Sequence, residues 1–324
     1  MRGQAFIGWR EGGGILSDYY EDSVAEEPGY RHAVALLPSE LRAAARALDP
    51  QLRRKAEEFR LRVGQLPTVL LPDGEATLAD AEPVTPTALR MVLQLATGAS
   101  AHAYADSLRQ GFITSRGGVR VGLCGQAVMG AGEVRDVKHL SSVSLRIPRE
   151  IFGCADGLVA PDKSFVSTLI ISPPGGGKTT LLRDMLRRLS DDGLRVALAD
   201  ERGEVAGVWE GEPQFDVGIH TDVLTGAPKA EAALMLLRAM NPQLLALDEI
   251  TAPEDVRACL LAANCGVQLL ATAHGDGTED LAKRPLYREL MGQDVFRRAV
   301  IIGGRGSTRS YAVQRLGDGG AVIC

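Results

Sequence analysis

A chain of 324 residues, 45% hydrophobic and 24% charged, has the make-up of a globular protein and enough length for two domains of roughly 100 to 200 residues each. Its net charge of −5 argues against a nucleic-acid binder, which relies on clustered positive charge, so no nucleic-acid partner is expected. No apolar run approaches bilayer-spanning length. The five cysteines, Cys124, Cys154, Cys259, Cys265 and Cys324, form no C-x-x-C pair and have no histidines at zinc-ligand spacing, which points to reduced thiols.

The start, MRGQAFIGWREGGG, lacks an apolar core followed by a small-residue cleavage site, so a cytoplasmic location is expected. Residues 1–30 hold three consecutive glycines and the acidic run SDYYEDSVAEEPG, and are expected to be a disordered extension. Residues 31–155 read as a smaller α+β domain. LPSELRAAARAL places Ser39 before a helical pattern, DPQLRRKAEEF reads as a second helix, and FRLRV and TVLL read as strands. TPTALRMVLQLATG and HAYADSLRQ read as further helices, followed by strands in GFITSRGGVRVGLCGQAVMG and HLSSVSLRIP joined by glycine-rich turns. The Gly- and Pro-containing GCADGLVAPDKS, residues 153–164, reads as a linker.

Over residues 164–324 the pattern changes to alternation. The short apolar strands FVSTLII, LRVALAD, PQLLALD and GVQLLATA are separated by the helical KTTLLRDMLRRL, KAEAALMLLRAM and EDVRACLLAAN, which predicts an α/β fold with a parallel sheet covered on both faces. The end, FRRAVIIGGRGSTRSYAVQRL, reads as a hairpin turning at GGRGS.

LIISPPGGGKTT, residues 169–180, combines a strand, a glycine-rich loop and a helix start, the arrangement in which backbone N–H groups converge on a phosphate. Pro174, Gly175, Gly176, Gly177, Lys178, Thr179 and Thr180 are the predicted nucleotide contacts. Lys178 supplies the charge for the β- and γ-phosphates, and Thr179 a hydroxyl for Mg²⁺. The pattern G-x-x-x-x-G-K-[ST] has Ser172 in place of its first glycine. Pro173 restricts Ser172 to extended geometry, which serine adopts without strain, so the loop is expected to function.

LLALDEI sets Asp248 and Glu249 at the end of an apolar strand, on the sheet edge where ligands bind. Asp248 is the expected Mg²⁺ partner and Glu249 the residue that aligns the attacking water. LLATAHG ends the next strand at His274. If that strand lies between the loop strand and the Asp248 strand, His274 faces the γ-phosphate. VALADERGE brings Asp200, Glu201 and Arg202 to the same edge.

The segments SPPGGGKTTLLRDMLRRLS, ADERGEVAGV, PQFDVGIHTDVLTGAPKAEAALMLLRAMNPQLLALDEI and GVQLLATAHG resemble the stage III sporulation protein AA family, within the secretion-ATPase group of type II, type IV and pilus motors. EEFRLRVGQLP, GFITSRGGVRVGLCGQAV and SVSLRIPREIFGCA are similar to that family's N-terminal segment. The resemblance implies a RecA-like P-loop ATPase domain using ATP and Mg²⁺, with Asp200 and Glu201 as an acidic box and His274 as a histidine box, so that Glu249, Lys178, His274 and Glu201 form the catalytic set. It also implies a hexameric ring, a membrane-embedded channel or secretion complex as partner, a place at the inner membrane reached through that partner, and arginines approaching the phosphates from the N-terminal domain or a neighbouring subunit. Arg116, Arg120, Arg146 and Arg149 are candidates for that role. His220 stands before TDVL where relatives commonly carry arginine. The rival readings are a RecA-like nucleic-acid motor and an ATP-gated assembly module with little turnover.

Overall fold

The computed structural model describes residues 28–98, 111–130, 132–159, 165–304, 309–317 and 322–323. Most of the expected disordered extension, and the helix expected in HAYADSLRQ, lie outside these residues.

Helices α1 (Pro28–Ala35), α2 (Ser39–Ala47) and α3 (Pro50–Lys55) come first. The first of them begins inside the stretch expected to be disordered. The reason is Tyr30, whose ring sits 5.4 Å from that of Phe59 and whose hydroxyl donates to Ala45 O at 2.7 Å. Ser39 is the first helical residue of α2 rather than its cap, with Pro38 in the capping place. In α3, Asp49 caps by accepting from Gln51 N. This helix stops at Lys55 instead of running on to Phe59, because Glu58 and Phe59 are taken into a strand and Phe59 is fully buried.

Strands β1 (Glu58–Arg62), β2 (Thr68–Leu71) and β3 (Gly74–Thr77) form one antiparallel meander. After α4 (Pro86–Ala96), capped by the Thr85 hydroxyl with Pro86 in the first turn, β4 (Phe112–Thr114), β5 (Arg120–Gly130) and β6 (Glu133–Arg146) form a second. Pairing of β1 with β6 joins them in the order β3-β2-β1-β6-β5-β4. Phe59 and Leu61 alternate inward along β1 and meet Leu89, Ile113, Val121 and Leu145 in one core.

The second sheet contains β7 (Thr168–Ser172), β8 (Val196–Asp200), β9 (Thr221–Thr225), β10 (Leu244–Leu247), β11 (Gln268–His274), β12 (Arg298–Gly303), β13 (Ser310–Leu316) and β14 (Val322–Ile323), in the order β14-β13-β12-β7-β11-β10-β8-β9. The six strands from β12 to β9 run parallel, as the alternating pattern predicted. Every residue of β7, β8 and β10 is buried, which is why these strands read as unbroken apolar runs. Ile170 packs on α5 (Lys178–Asp191) through Leu181, Leu182 and Met185, together with Ala155, Leu158 and Val159 from the segment read as a linker. Leu169 and Ile171 face the other way, into the core built with α6 (Lys229–Ala239), α7 (Pro253–Asn264) and α9 (Pro285–Gly292). The edge strand β9 and the short helices α8 (Thr278–Lys283) and α9 have no counterpart among the predicted elements. Along β9 every residue is half-buried, so no alternation marks it in the sequence.

Contacts tie the first sheet to the segment after β8. Gly117 N donates to Gln214 Oε1 at 2.8 Å, Arg120 pairs with Glu204, and Asp216 N donates to Glu150 Oε1 at 2.8 Å. Gly118, in the left-handed region, leaves no space for a Cβ because the Phe215 ring packs onto it. Among the described residues no helix is long and apolar enough to cross a membrane.

Candidate nucleotide site

Parallel pairing brings the C-terminal ends of β7, β11, β10 and β8 to one edge, and with them Ser172, His274, Asp248 and Asp200. The strand carrying His274 does lie between the loop strand and the strand leading to Asp248. His274 is the register partner of Ser172.

The loop from Pro173 to Gly177 turns on two glycines in the left-handed region, Gly175 at φ 74° and Gly177 at φ 101°, the latter capping α5. The opening turn of that helix presents N–H groups without intrahelical acceptors, the donors an anion would meet. Ser172 ends β7 fully buried in extended backbone, and its Oγ donates to Pro173 O at 3.0 Å. A Cβ on Gly176 would overlap that Oγ. The serine therefore occupies space that a glycine at 172 would leave open, and Gly176 accommodates it by carrying no side chain.

Lys178 is buried, and its Nζ donates to Ser172 O at 3.2 Å and to His274 Nδ1 at 2.6 Å. An ammonium has no lone pair to accept with, so His274 Nδ1 is the acceptor and the imidazole proton is on Nε2. That nitrogen lies 3.0 Å from Glu249 Oε1. Burial lowers the Lys178 pKa, opposed by the charges of Glu249 and Asp248. A continuous chain thus runs from the loop lysine through the histidine to the second carboxylate.

Glu249 sits at φ 43°, a conformation that costs a non-glycine residue free energy. Three contacts hold it there: its N donates to Thr272 Oγ1 at 2.9 Å, its carbonyl accepts from Lys229 Nζ at 2.7 Å, and Ile250 N donates to Thr272 O at 2.9 Å. The same Thr272 hydroxyl donates to Asp248 Oδ1 at 3.2 Å. Thr272 thereby fixes both acids at once. The Asp248 carboxyl is pushed up to about 6 by burial, with Asp200, Glu204 and Glu249 adding negative charge and the Thr272 bond opposing.

Asp200 is fully buried and accepts from Glu204 N at 3.0 Å, Val205 N at 3.1 Å and Ala206 N at 2.9 Å. Burial raises its pKa despite those three donors. It pegs the turn after β8. Glu201 faces Lys229, 3.7 Å away, and the same lysine donates to the Glu249 carbonyl. Arg202 is exposed.

Thr179 and Thr180 are half-buried in the first turn of α5. Arg120 pairs with Glu204 and stacks on Phe112, and Arg149 donates to the carbonyls of Arg54 and Ala56, while Arg116 and Arg146 are exposed. His220 stands at the opposite edge of the sheet, where its N and Nδ1 meet Ser190 Oγ and O at the end of α5.

Two residues of this site escaped sequence reasoning. Thr272 had a legible signal, a polar residue in an apolar run two places before His274 and hence on the same face of the strand. Lys229 had none, since a lysine opening a helix resembles any solvated charge.

A divalent cation fits the donor set. Burial first, and then the charges of Asp200, Glu204 and Glu249, disfavour the Asp248 carboxylate, a cost that a cation relieves, and Thr179 offers a hydroxyl in the first turn of α5. Among the described residues no three His, Cys, Asp or Glu side chains cluster to hold a metal alone.

A family model described as sporulation stage III, protein AA, matches residues 32–314. Stage III sporulation protein AA of Bacillus subtilis (strain 168) is 35% identical over 271 residues, covering 81% of this chain and 87% of that protein. Among solved structures, the Yersinia pseudotuberculosis ATPase DotB aligns with a TM-score of 0.55 at 16% identity, over 86% of this chain and 79% of its own. The pilus retraction motor PilT, solved with bound ADP, aligns with a TM-score of 0.56 at 15% identity, over 81% and 80%. These two show that the fold is that of the P-loop secretion and pilus ATPases. Matched over most of its length by the family model and by the Bacillus relative, the chain belongs to the stage III sporulation protein AA family.

Proposed function

We propose that this chain is an ATPase that binds ATP with Mg²⁺, hydrolyses it, and uses the cycle for conformational work on a membrane-embedded channel of the sporulation and secretion type. The observation that carries the reading is the chain Lys178–His274–Glu249 at the mouth of a glycine-rich loop. An arriving triphosphate competes for Lys178, since phosphate oxygens are stronger acceptors for an ammonium than a neutral imidazole is. As Lys178 turns to the phosphates, His274 Nδ1 loses its donor while Nε2 still holds Glu249. Glu249, pinned at its backbone by Thr272 and Lys229, is then placed to orient water against the γ-phosphate. Bound through Thr179 and Asp248, Mg²⁺ would neutralise charge developing on the phosphates.

The turn pegged by Asp200 leads to Glu204, which pairs with Arg120 of the first sheet. This contact offers a route by which events at the crevice move the N-terminal sheet, since nucleotide shifts a conformation only through differential contacts. Residues 31–155 and 164–324 act in this reading as the moving and the hydrolysing domain. The working unit is a homo-oligomeric ring, six-membered as the secretion-ATPase resemblance implies, in the cytoplasm at the inner membrane. Purified protein with ATP and Mg²⁺ tests this: hydrolysis that rises with protein concentration, together with a ring-sized mass in solution, supports it. Full activity in a monomer would contradict the ring.

A further inference from the structure

Among the groups that the site described above does not use, Arg309 has the surroundings of a ligand contact. It stands directly before β13. Since β12 runs parallel to β7 and β13 returns antiparallel beside β12, residue 309 arrives at the sheet edge where the phosphate loop opens. A Cβ placed on Gly177 would meet Arg309 Cζ at 2.9 Å and Nε and Nη2 at 3.1 Å. The guanidinium therefore lies against the residue that caps α5. Its Nε is closed off from solvent and has no hydrogen-bond partner among the described residues.

Arginine stays protonated and offers five donors. Here it is set against Gly177, at the positive end of a 14-residue helix. A buried donor left unpaired costs free energy, and the positive helix end adds to that cost, until an anion arrives.

We propose that Arg309 binds the nucleotide in cis, donating to a polyphosphate oxygen on the flank of the loop away from Glu249. The proposal rests on the ATPase reading above. Strand order gives the side: β12 and β13 lie on one side of β7, and β11 and β10, leading to His274 and Glu249, on the other. The γ-phosphate belongs with Glu249, so Arg309 meets the phosphates nearer the nucleoside, which ATP and ADP share. Arg309 thereby contributes to affinity for both nucleotides.

The test is titration of ATP and of ADP into the full chain and into its Arg309→Ala, Arg309→Lys and Lys178→Ala variants, alongside thermal unfolding of each without nucleotide. Arg309→Ala is expected to weaken ATP and ADP alike by about tenfold or more. Arg309→Lys, keeping the charge but losing the fork, recovers part of the loss. Unliganded Arg309→Ala is expected to melt no lower than wild type, because a buried unpaired donor has been removed. Wild-type affinity of Arg309→Ala for both nucleotides overturns the proposal and leaves the ATPase reading intact. A loss confined to ATP also overturns it, and so does a loss accompanied by a lower unliganded melting temperature that lysine fails to restore. No nucleotide binding by the wild type overturns both.

Discussion

Lys178 Nζ lies 2.6 Å from His274 Nδ1, so the ammonium expected to grip phosphate is held by a histidine that also touches Glu249. The contact makes His274 a competitor for the lysine and a support for the glutamate. His274→Ala is expected to leave ATP affinity equal to or above wild type and to slow turnover on the order of 10- to 100-fold, the size of effect a misplaced reacting group produces. Equilibrium binding and steady-state hydrolysis separate the two. An unfolded His274→Ala protein would make the residue structural instead.

Thr272→Val keeps the shape of a buried strand residue and removes one hydroxyl. Glu249 N loses its acceptor and Asp248 Oδ1 a donor. A stability loss of about 1–3 kcal/mol is expected in urea unfolding. Turnover is expected to fall about 100-fold, since Glu249 can then relax from its left-handed backbone. Turnover unchanged in a destabilised Thr272→Val protein would remove Thr272 from the positioning of Glu249.

Gly176 and Ser172 form a pair that a double-mutant cycle can read. Gly176→Ala places a methyl where Ser172 Oγ stands, and is expected to lower both stability and nucleotide affinity. Ser172→Gly alone is expected to be close to neutral for binding, and combined with Gly176→Ala to restore part of what that change costs. The restoration is partial because Pro173 O would still lie 3.1 Å from the new carbon. Strict additivity would contradict the steric coupling.

Cysteine reactivity offers a test of packing. Burial, with the negative charge of Asp184 adding, pushes the Cys154 thiol up to about 12, and burial likewise pushes Cys259 up to about 12. A raised thiol pKa means a neutral, unreactive sulfur across pH 7–9, because the thiolate is the nucleophile. Cys124 and Cys265 are exposed. Iodoacetamide at pH 8 is expected to label those two and spare Cys154 and Cys259 until urea unfolds the chain, as mass spectrometry of peptides will read. Labelling of Cys154 at the rate of Cys265 would contradict the packing of residues 153–159 onto α5.

The phosphate loop was legible because its chemistry is local: a strand, glycines, a lysine and a helix start lie within 12 consecutive residues, 169–180. The place of His274 was legible as a condition on strand order, which the order β7-β11-β10 meets. Thr272 is marked in the sequence only as a polar residue in an apolar run, and its role, like those of Lys229 and Arg309, comes from a partner brought close by the sheet: Thr272 from Glu249, Lys229 from the Glu249 carbonyl, Arg309 from Gly177. Asp200 was placed at the right edge, but its burial follows from three N–H groups of its own following turn, which no side-chain pattern announces. Helix α3 was read too long because AEEF continues the helical pattern, while pairing of Glu58 with Arg146 draws the chain into a strand.

Glu249→Gln is the most direct measurement of the central claim, that a carboxylate held by His274, on a backbone pinned by Thr272, aligns water for ATP cleavage. ATP affinity is measured by equilibrium titration and phosphate release by a steady-state assay, on wild type and variant side by side. The expected result is nucleotide affinity within about threefold of wild type and turnover reduced on the order of 10²- to 10⁴-fold. Equal phosphate release by the two proteins would contradict it.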